Sequence, residues 1–177
     1  MPSLHDRCPT TIRIIGSVGS GKTTLAREIS AELNIPYYEL DNVVWKRAES
    51  GDIRRSDAER DEYLAQILNS SAWIIEGAHH KWGLESFQRA DMILFLDVHC
   101  RTRLWRIVKR FLRQRLGIEK ANYKPTFHML KMMFVWTFRF ERKDKFEIHD
   151  ILRQHQNKLV VLPDNVDVAH YLVNRKG

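Results

Sequence analysis

A run of eight residues near the amino terminus carries the clearest chemistry in this sequence. It reads Gly16-Ser17-Val18-Gly19-Ser20-Gly21-Lys22-Thr23, which is the G-x-x-x-x-G-K-T spacing of a phosphate-binding loop. Glycines let the backbone pass close to a phosphate, and successive N–H groups then form an anion-binding concavity. Lys22 supplies a mobile positive charge for β- and γ-phosphates, and the Thr23 hydroxyl is a suitable ligand for Mg²⁺. The pattern predicts a triphosphate site.

Such a loop needs a strand before it and a helix after it, and the flanking residues predict both. Ile12, Ile14 and Ile15 form a β-branched run just before the loop. Apolar residues then recur every four positions as far as Leu33, which predicts a helix from about Gly21 to Leu33 whose amino end faces the phosphates. The predicted nucleotide-binding residues are Gly16, Ser17, Val18, Gly19, Ser20, Gly21, Lys22, Thr23 and Thr24.

An acidic residue ends the next predicted strand, at the edge where ligands of open α/β sheets bind. The strand is Tyr37–Leu40, and Asp41 follows it. The Asp41 carboxylate is suited to orient or deprotonate a substrate hydroxyl, but aspartate is also a favoured helix N-cap. The residues alone support both roles equally, and one carboxylate can fill both.

Glu76 and Asp97 compete for a different role, which is to hold Mg²⁺ through water beside the phosphate loop. Glu76 follows the apolar run Ala72–Ile75, and Asp97 follows the apolar run Met92–Leu96. We favour Glu76, because Gly77 comes after it and leaves room for the metal and the phosphates. Asp97 is expected to cap the helix that begins after it. The predicted metal site therefore consists of Thr23 and Glu76.

Positive charge is concentrated in one part of the chain. The net charge is +7, but the segment from Arg101 to Lys145 contains fourteen Lys or Arg and three acids, so it carries +11 and the remainder −4. The segment opens with a predicted basic helix over Arg101–Leu116 whose apolar face comprises Leu104, Ile107, Val108, Phe111 and Leu112. Its arginines either form a solvated face or neutralise a transferring phosphoryl group. A polyanion is expected nearby: ATP, a phosphorylated substrate or nucleic acid.

The rest of the chain predicts alternating helices and strands. Lys46–Ser56 is polar and predicts a surface loop, and Ser56 to Glu59 form a capping box that opens a helix to about Leu68. Apolar residues at helical spacing over Phe127–Phe138 favour a helix packed on the core over one that docks a membrane or a partner. The remaining predicted elements are a helix over Lys145–Gln156, a strand over Lys158–Leu162 and a closing helix over Val166–Val173.

Composition excludes several classes of protein. The 177 residues, of which 44% are hydrophobic, fit a single soluble domain over residues 1–177. No apolar run is long enough to cross a bilayer, and Met1–Thr11 lacks the apolar core of a secretory signal. Cys8 and Cys100 are expected to be free thiols in the cytoplasm. The adjacent His79 and His80 lack partners at metal spacing, so no zinc site is expected.

Taken together, these segments resemble the adenylate-kinase-like P-loop kinases, and most closely the topology-modulation (FlaR-like) proteins. Besides the phosphate loop, the resemblance rests on Tyr38-Glu39-Leu40-Asp41 with Trp45, Trp73–Gly77, Arg89–Asp97 and Arg103–Arg110. It implies an α/β P-loop NTPase fold with five parallel strands in the order 2-3-1-4-5 and a basic helical lid over about residues 113–143. It also implies Arg106 and Arg110 near the phosphates, Arg139 and Arg142 in the lid, and Glu76 in the magnesium-holding position.

The chain departs from typical nucleoside-monophosphate kinases, which have an arginine shortly after the strand-two acid and another after strand three. Those neighbourhoods here contain Val44 and His80, which favours an acceptor hydroxyl read by Asp41. We expect an ATP-dependent kinase that uses Mg²⁺ and phosphorylates a small nucleoside, nucleotide or hydroxyl metabolite. The predicted catalytic residues are Lys22, Asp41, Arg106, Arg110, Arg139 and Arg142.

Two other functions are consistent with the sequence. A non-catalytic ATP-binding regulator could act on DNA topology through the +11 segment, and its nucleic-acid binding would weaken steeply with salt. No nucleic-acid motif accompanies these basic residues. A membrane-surface helix over Phe127–Phe140 would bind liposomes, and we regard it as the weaker alternative.

Overall fold

Runs of buried apolar residues determine where the strands of this protein form. The computed structural model describes residues 9–48, 51–119 and 125–164. A π-helical turn over Phe140–Asp144 joins the last two helices, and a 3₁₀ segment over Arg153–Lys158 precedes the last strand. In chain order the other elements are β1 (Thr11–Gly16), α1 (Lys22–Leu33), β2 (Tyr37–Glu39), α2 (Leu40–Val44), β3 (Trp45–Lys46), β4 (Ile53–Arg54), α3 (Asp57–Leu68), β5 (Trp73–Glu76), α4 (Leu84–Arg89), β6 (Met92–Leu96), α5 (Cys100–Arg115), α6 (Phe127–Arg139), α7 (Lys145–Leu152) and β7 (Leu159–Leu162).

The main sheet contains five strands in the order β2-β5-β1-β6-β7, and every neighbouring pair is parallel. Numbered within this sheet alone, the order is 2-3-1-4-5, so the predicted fold class and strand order are confirmed. Parallel neighbours require crossover connections, which the helices between the strands provide. All carboxyl ends of the strands therefore lie along one edge, where β1 leads into the phosphate loop and Glu76 ends β5.

Side-chain alternation divides the core between the two faces of the sheet. On one face, Ile12, Ile14, Ile74 and Leu94 pack against Leu25, Ala26 and Ile29 of α1. On the other face, residues such as Ile75 and Phe95 pack against α3, α4 and α7. Glu76 lies two positions after Ile74, so its side chain is on the α1 face, beside the start of that helix.

Several local predictions need correction. The second strand ends at Glu39, because Leu40 already begins α2. The predicted surface loop contains a short antiparallel pair, β3 with β4, whose residues are exposed. The capping box at Ser56 is confirmed, with both of its hydrogen bonds to Glu59. Ala58, in the first turn of α3, is exposed, and the buried residues of this helix are Leu64, Ile67 and Leu68.

The basic helix and the helix after it pack differently from the prediction. The buried residues of α5 are Arg103, Ile107 and Phe111, whereas Leu112 is 53% exposed. In α6 the buried residues are Met133 and Thr137, while Phe127 and Phe138 are exposed. The prediction that the whole apolar stripe of α6 packs on the core is therefore wrong. The reason is that α6 packs along α5 by one narrow face, which leaves its other apolar residues uncovered.

The helix predicted over Lys145–Gln156 begins as expected at Lys145, but its α-helical part ends at Leu152 and the 3₁₀ segment continues the chain to β7. The predicted closing helix over Val166–Val173, and Cys8, lie outside the described residues. Among the helices that are described, none is both long enough and apolar enough to cross a membrane.

Candidate functional site

The phosphate loop joins β1 to α1 and is packed tightly against α5. Gly19 and Gly21 have φ angles of 75° and 92°, in the left-handed region that favours glycine. A Cβ on Gly19 would lie 2.8 Å from the carbonyl oxygen of Arg103 and 3.1 Å from Cγ1 of Ile107. Both the backbone conformation and the contact with α5 therefore require glycine at position 19.

The interior of the loop has unused hydrogen-bonding groups that fit a bound phosphate. The hydroxyl oxygens of Ser17 and Ser20 are buried and have no hydrogen-bond partner in the described part of the chain. The amino end of α1 has no side-chain cap and no acidic residue in its first turn. Lys22 Nζ donates to the carbonyl of Ser17 at 3.3 Å. Backbone N–H groups, hydroxyls and a lysine at a helix amino terminus are an anion-binding arrangement.

Thr23 and Glu76 are in contact beside the loop. The Thr23 hydroxyl donates to Oε1 of Glu76 at 2.7 Å. Glu76 is 4% exposed, and its Oε2 is buried without a hydrogen-bond partner among the described residues. A hydroxyl and a carboxylate beside a phosphate site form an oxygen donor set that suits Mg²⁺, which keeps several waters.

Asp97, the competing acid, has a different contact. Its Oδ1 lies 2.6 Å from Lys145 Nζ, at the start of α7. The N-cap of α5 is His99, whose side chain accepts a hydrogen bond from the N–H of Arg101. The prediction that Asp97 caps this helix is therefore wrong. Asp97 lies two residues before the N-cap position, which a histidine occupies.

Asp41 pairs with His79 across the carboxyl ends of β2 and β5. Nε2 of His79 lies 3.1 Å from Oδ1 of Asp41. This hydrogen bond lowers the pKa of Asp41 below its usual value, and nearby positive charge, including that of Lys22, acts in the same direction. Glu39 occupies the N-cap position of α2, so the alternative that Asp41 caps the helix is wrong. Asp41 lies in the first turn with its carboxylate directed at His79.

The carboxylates at this edge of the sheet influence one another. Glu39 and Glu76 are register partners on neighbouring strands. The pKa of Glu39 is raised, first by burial and then by the negative charges of Glu76 and Asp41. Glu39 also borders a cavity of about 220 Å³ together with Tyr37, Tyr38, Asn42, Val43 and Tyr63. The cavity therefore lies next to the acidic edge, although Asp41 and the phosphate loop are not part of its lining.

The four arginines predicted to act in catalysis occupy different positions. Arg106 reaches the loop, since its Nη1 donates to the Ser20 carbonyl at 3.2 Å and its Nη2 lies 2.6 Å from Asp164. Arg110 points toward α6, where its Nη2 lies 3.9 Å from Sδ of Met133. Arg139 is exposed beside Asp144, at 3.5 Å, and Arg142 is exposed on the π-helical turn.

A family model described as an AAA domain matches residues 12–121, which extend from β1 through α5. The chain belongs to this AAA domain family. No curated protein sequence matches the chain significantly.

Solved structures share the architecture of this AAA domain protein. Shikimate kinase from Acinetobacter baumannii, in complex with shikimate, is 16% identical, with 96% of this chain and 91% of that chain covered and a TM-score of 0.53. An uncharacterized protein from Eubacterium ventriosum is 15% identical, with 94% and 98% covered and a TM-score of 0.50. Shikimate kinase from Bacteroides thetaiotaomicron is 16% identical, with 94% and 96% covered and a TM-score of 0.48. At these identities the first two likenesses show the fold, which is that of P-loop kinases.

The positions of two further residues of this AAA domain protein were not predicted from the sequence. His79 contacts Asp41, and this contact joins positions 38 residues apart. Arg13 lies in β1 and is fully buried. Burial lowers its pKa to about 9, an effect that the negative charge of Glu76 partly opposes. The available signal was a charged residue within the isoleucine run of the first strand, where only apolar residues were expected.

Proposed function

We propose that this protein is a kinase that transfers the γ-phosphoryl group of ATP, bound with Mg²⁺, to the hydroxyl of a small acceptor. The observation that carries the proposal is a pair of carboxylates near the loop, which lie near the carboxyl ends of the neighbouring strands β5 and β2 on one side of β1. Glu76 accepts the Thr23 hydroxyl at 2.7 Å, and Asp41 interacts electrostatically with Lys22. A phosphate loop alone serves any nucleotide-binding protein. A second carboxylate beside its lysine provides a place for an acceptor hydroxyl.

The donor half of the proposed site is assigned to the loop and to β5. Backbone N–H groups of the loop and the hydroxyls of Ser17 and Ser20 bind phosphate oxygens, and Lys22 binds the β- and γ-phosphates. Thr23 and Glu76 hold Mg²⁺, which when bound neutralises charge on the phosphate oxygens. The unpartnered oxygens of Ser17, Ser20 and Glu76 support this assignment, because buried polar groups normally have partners.

The acceptor half is assigned to Asp41. Its carboxylate orients the acceptor hydroxyl and receives the proton as the new O–P bond forms and the bond from the γ-phosphorus to the departing ADP breaks. The hydrogen bond from His79 keeps the pKa of Asp41 low, so that the carboxylate is ionised and ready to accept a proton. Arg106 and Arg110 are assigned to the charge on the transferring group, and Arg139 and Arg142 to the lid.

A neutral hydroxyl acceptor is favoured over a monophosphate by the contacts of the nearby arginines. Arg47 donates to Asn42 and forms an ion pair with Asp52. Arg55 donates to the Asn42 carbonyl at 2.8 Å, and its guanidinium lies over Tyr63. A phosphate on the acceptor would have to displace these contacts to gain an arginine partner, whereas a hydroxyl needs only a hydrogen-bonding carboxylate.

The test is ADP production with a panel of nucleosides, nucleoside monophosphates and hydroxyl metabolites. Asp41→Asn should lower kcat by about 10²- to 10⁴-fold with the accepted substrate while ATP affinity is retained. Lys22→Ala should lose ATP binding and transfer together. Asp61→Asn, an exposed aspartate on α3, is the matched control. Undiminished turnover by Asp41→Asn, or unchanged ATP affinity in Lys22→Ala, would refute the assignment.

A second candidate rests on the +11 segment and on the resemblance to topology-modulation proteins: a non-catalytic ATP-binding regulator that contacts DNA. Some of its basic residues are engaged, since Arg103 pairs with Glu141 and Lys145 with Asp97. Others, including Arg101 and Lys109, are exposed. DNA binding that falls steeply with salt, without ADP production on any acceptor, would favour this function over the kinase.

A further inference from the structure

Arg13 is a charged residue in the middle of the sheet, where an apolar residue would cost much less to bury. It is fully buried on β1, and its guanidinium lies 4.8 Å from the ring centre of Phe87. Nη1 donates to the carbonyl of Ile14 at 2.6 Å and to that of Ile75 at 3.3 Å. The side chain thus runs along the sheet toward the carboxyl ends of the strands.

The other guanidinium nitrogen leaves the sheet and holds the loop that follows β5. Nη2 donates to the carbonyl of Gly77 at 3.1 Å and to that of His79 at 2.8 Å. The Ile14 carbonyl also accepts from the Gly77 N–H at 3.2 Å. Among the described residues, however, Arg13 is the one donor recorded for the two loop carbonyls. Without it these two acceptors would lose their partner in the interior.

The same loop presents the His79 side chain to Asp41, at 3.1 Å. We propose that Arg13 is a positioning residue for phosphoryl transfer, which fixes the loop at residues 77–79 so that His79 keeps Asp41 in place. The effect of Arg13 on phosphoryl transfer rests on the proposed function, whereas its effect on the position of the loop does not. Arg13 acts through the loop and through His79, and it contacts neither substrate.

The geometry explains why arginine is needed. A guanidinium has several N–H donors in a rigid planar fork, so it can bridge two carbonyls of the sheet and two of the loop at once. Lysine carries the same charge on a single nitrogen, which cannot reach both pairs. Methionine has similar length and fills the space, but it donates no hydrogen bond. The loop at residues 77–79 should therefore be held most firmly by arginine at position 13, less firmly by lysine and least firmly by methionine.

The direct test is the ¹H–¹³C NMR signal of the His79 ring, assigned by its absence in His79→Gln. The ring of Trp82 lies 5.4 Å from that of His79, so the signal depends on how the loop is held. In Arg13→Met we expect the signal to move toward that of a free histidine, and in Arg13→Lys to move part of the way. Arg103→Met, which removes another buried arginine, is the control and should leave the signal in place.

Kinetics provide the second readout. Arg13→Lys should lower kcat/KM for the acceptor by about 10- to 100-fold, because displacement of a positioned group by about 1 Å costs this much. The KM for ATP should stay within about twofold, whereas general loosening would change both. An unmoved His79 signal in folded Arg13→Met, or in Arg13→Lys if the methionine variant does not fold, would overturn the proposal. If the unmodified protein phosphorylates no acceptor, the proposed function fails, and the NMR result still decides the role of Arg13.

Discussion

Replacement of Gly19 by alanine tests how closely the phosphate loop is packed against α5. Two separate costs are expected at this position. The φ angle of 75° is unfavourable for any residue with a Cβ, at about 1–2 kcal/mol. The new Cβ would also lie 2.8 Å from the Arg103 carbonyl oxygen, and overpacking of this kind costs about 1–3 kcal/mol. The loop can relieve the contact only by moving away from α5.

Gly117 offers a matched control, because its φ angle is 72° and no atom of the described residues, its two chain neighbours aside, lies within 4 Å of a Cβ built there. Gly117→Ala therefore carries the conformational cost alone. The free energy of unfolding should fall about 1–3 kcal/mol further in Gly19→Ala than in Gly117→Ala. In a protein of 177 residues each kcal/mol corresponds to about 2–4 °C in Tm.

The assay is thermal unfolding of the two variants and the unmodified protein, with ATP affinity measured in parallel. Gly19→Ala should also bind ATP more weakly, since its loop is displaced from the conformation that receives phosphates. Equal losses of stability in the two variants would refute the contact between the loop and α5. Unchanged ATP affinity in Gly19→Ala would refute the importance of this loop conformation for binding.

Three further predictions concern local contacts. Hydrogen bonds from His80 and Lys81 lower the pKa of Glu147 from 4.5 to about 2, so its stabilising contribution is complete above pH 4.5 and is lost as the pH falls toward 2. Unfolding curves of the unmodified protein and Glu147→Gln should converge over that range, and a constant gap would contradict the ion pair. Ser56→Ala removes the capping box and should lower the free energy of unfolding by about 0.5–2 kcal/mol, measured by denaturant unfolding. An unchanged midpoint would contradict a stabilising role of the capping box. His79→Gln should raise the pKa of Asp41, and thus move the acid limb of the kcat profile to higher pH; an unmoved limb would mean that Asp41 is not the proton acceptor.

Much of the fold was predictable because its signals are local. The apolar runs of β1, β5 and β6 reflect strands that are covered on both faces, and parallel buried strands require such runs. The phosphate loop is equally local, since its glycines, lysine and threonine are contiguous. The assignment of Glu76 rested on a residue at the end of such a run, and the structure brings it to Thr23.

The contacts around Asp41 and His79 could not be predicted, because they join distant positions. Asp41 meets His79 only when β2 and β5 become neighbours, and Arg13 meets the His79 carbonyl across 66 residues. The apolar face of α5 was predicted incorrectly for a similar reason. The sequence favours a solvent-exposed position for Arg103. In the structure its Nε donates to the Val98 carbonyl at 2.9 Å, and its side chain is 1% exposed.

The most direct test of the central claim is a calorimetric titration of ATP with and without Mg²⁺. The protein should bind ATP, and Mg²⁺ should strengthen the binding in the unmodified protein and in Asp97→Asn, whose carboxylate is paired with Lys145. The strengthening should be lost in Glu76→Gln, because the carboxylate beside Thr23 is then absent. Failure of the unmodified protein to bind ATP, or a full Mg²⁺ effect in Glu76→Gln, would contradict the account.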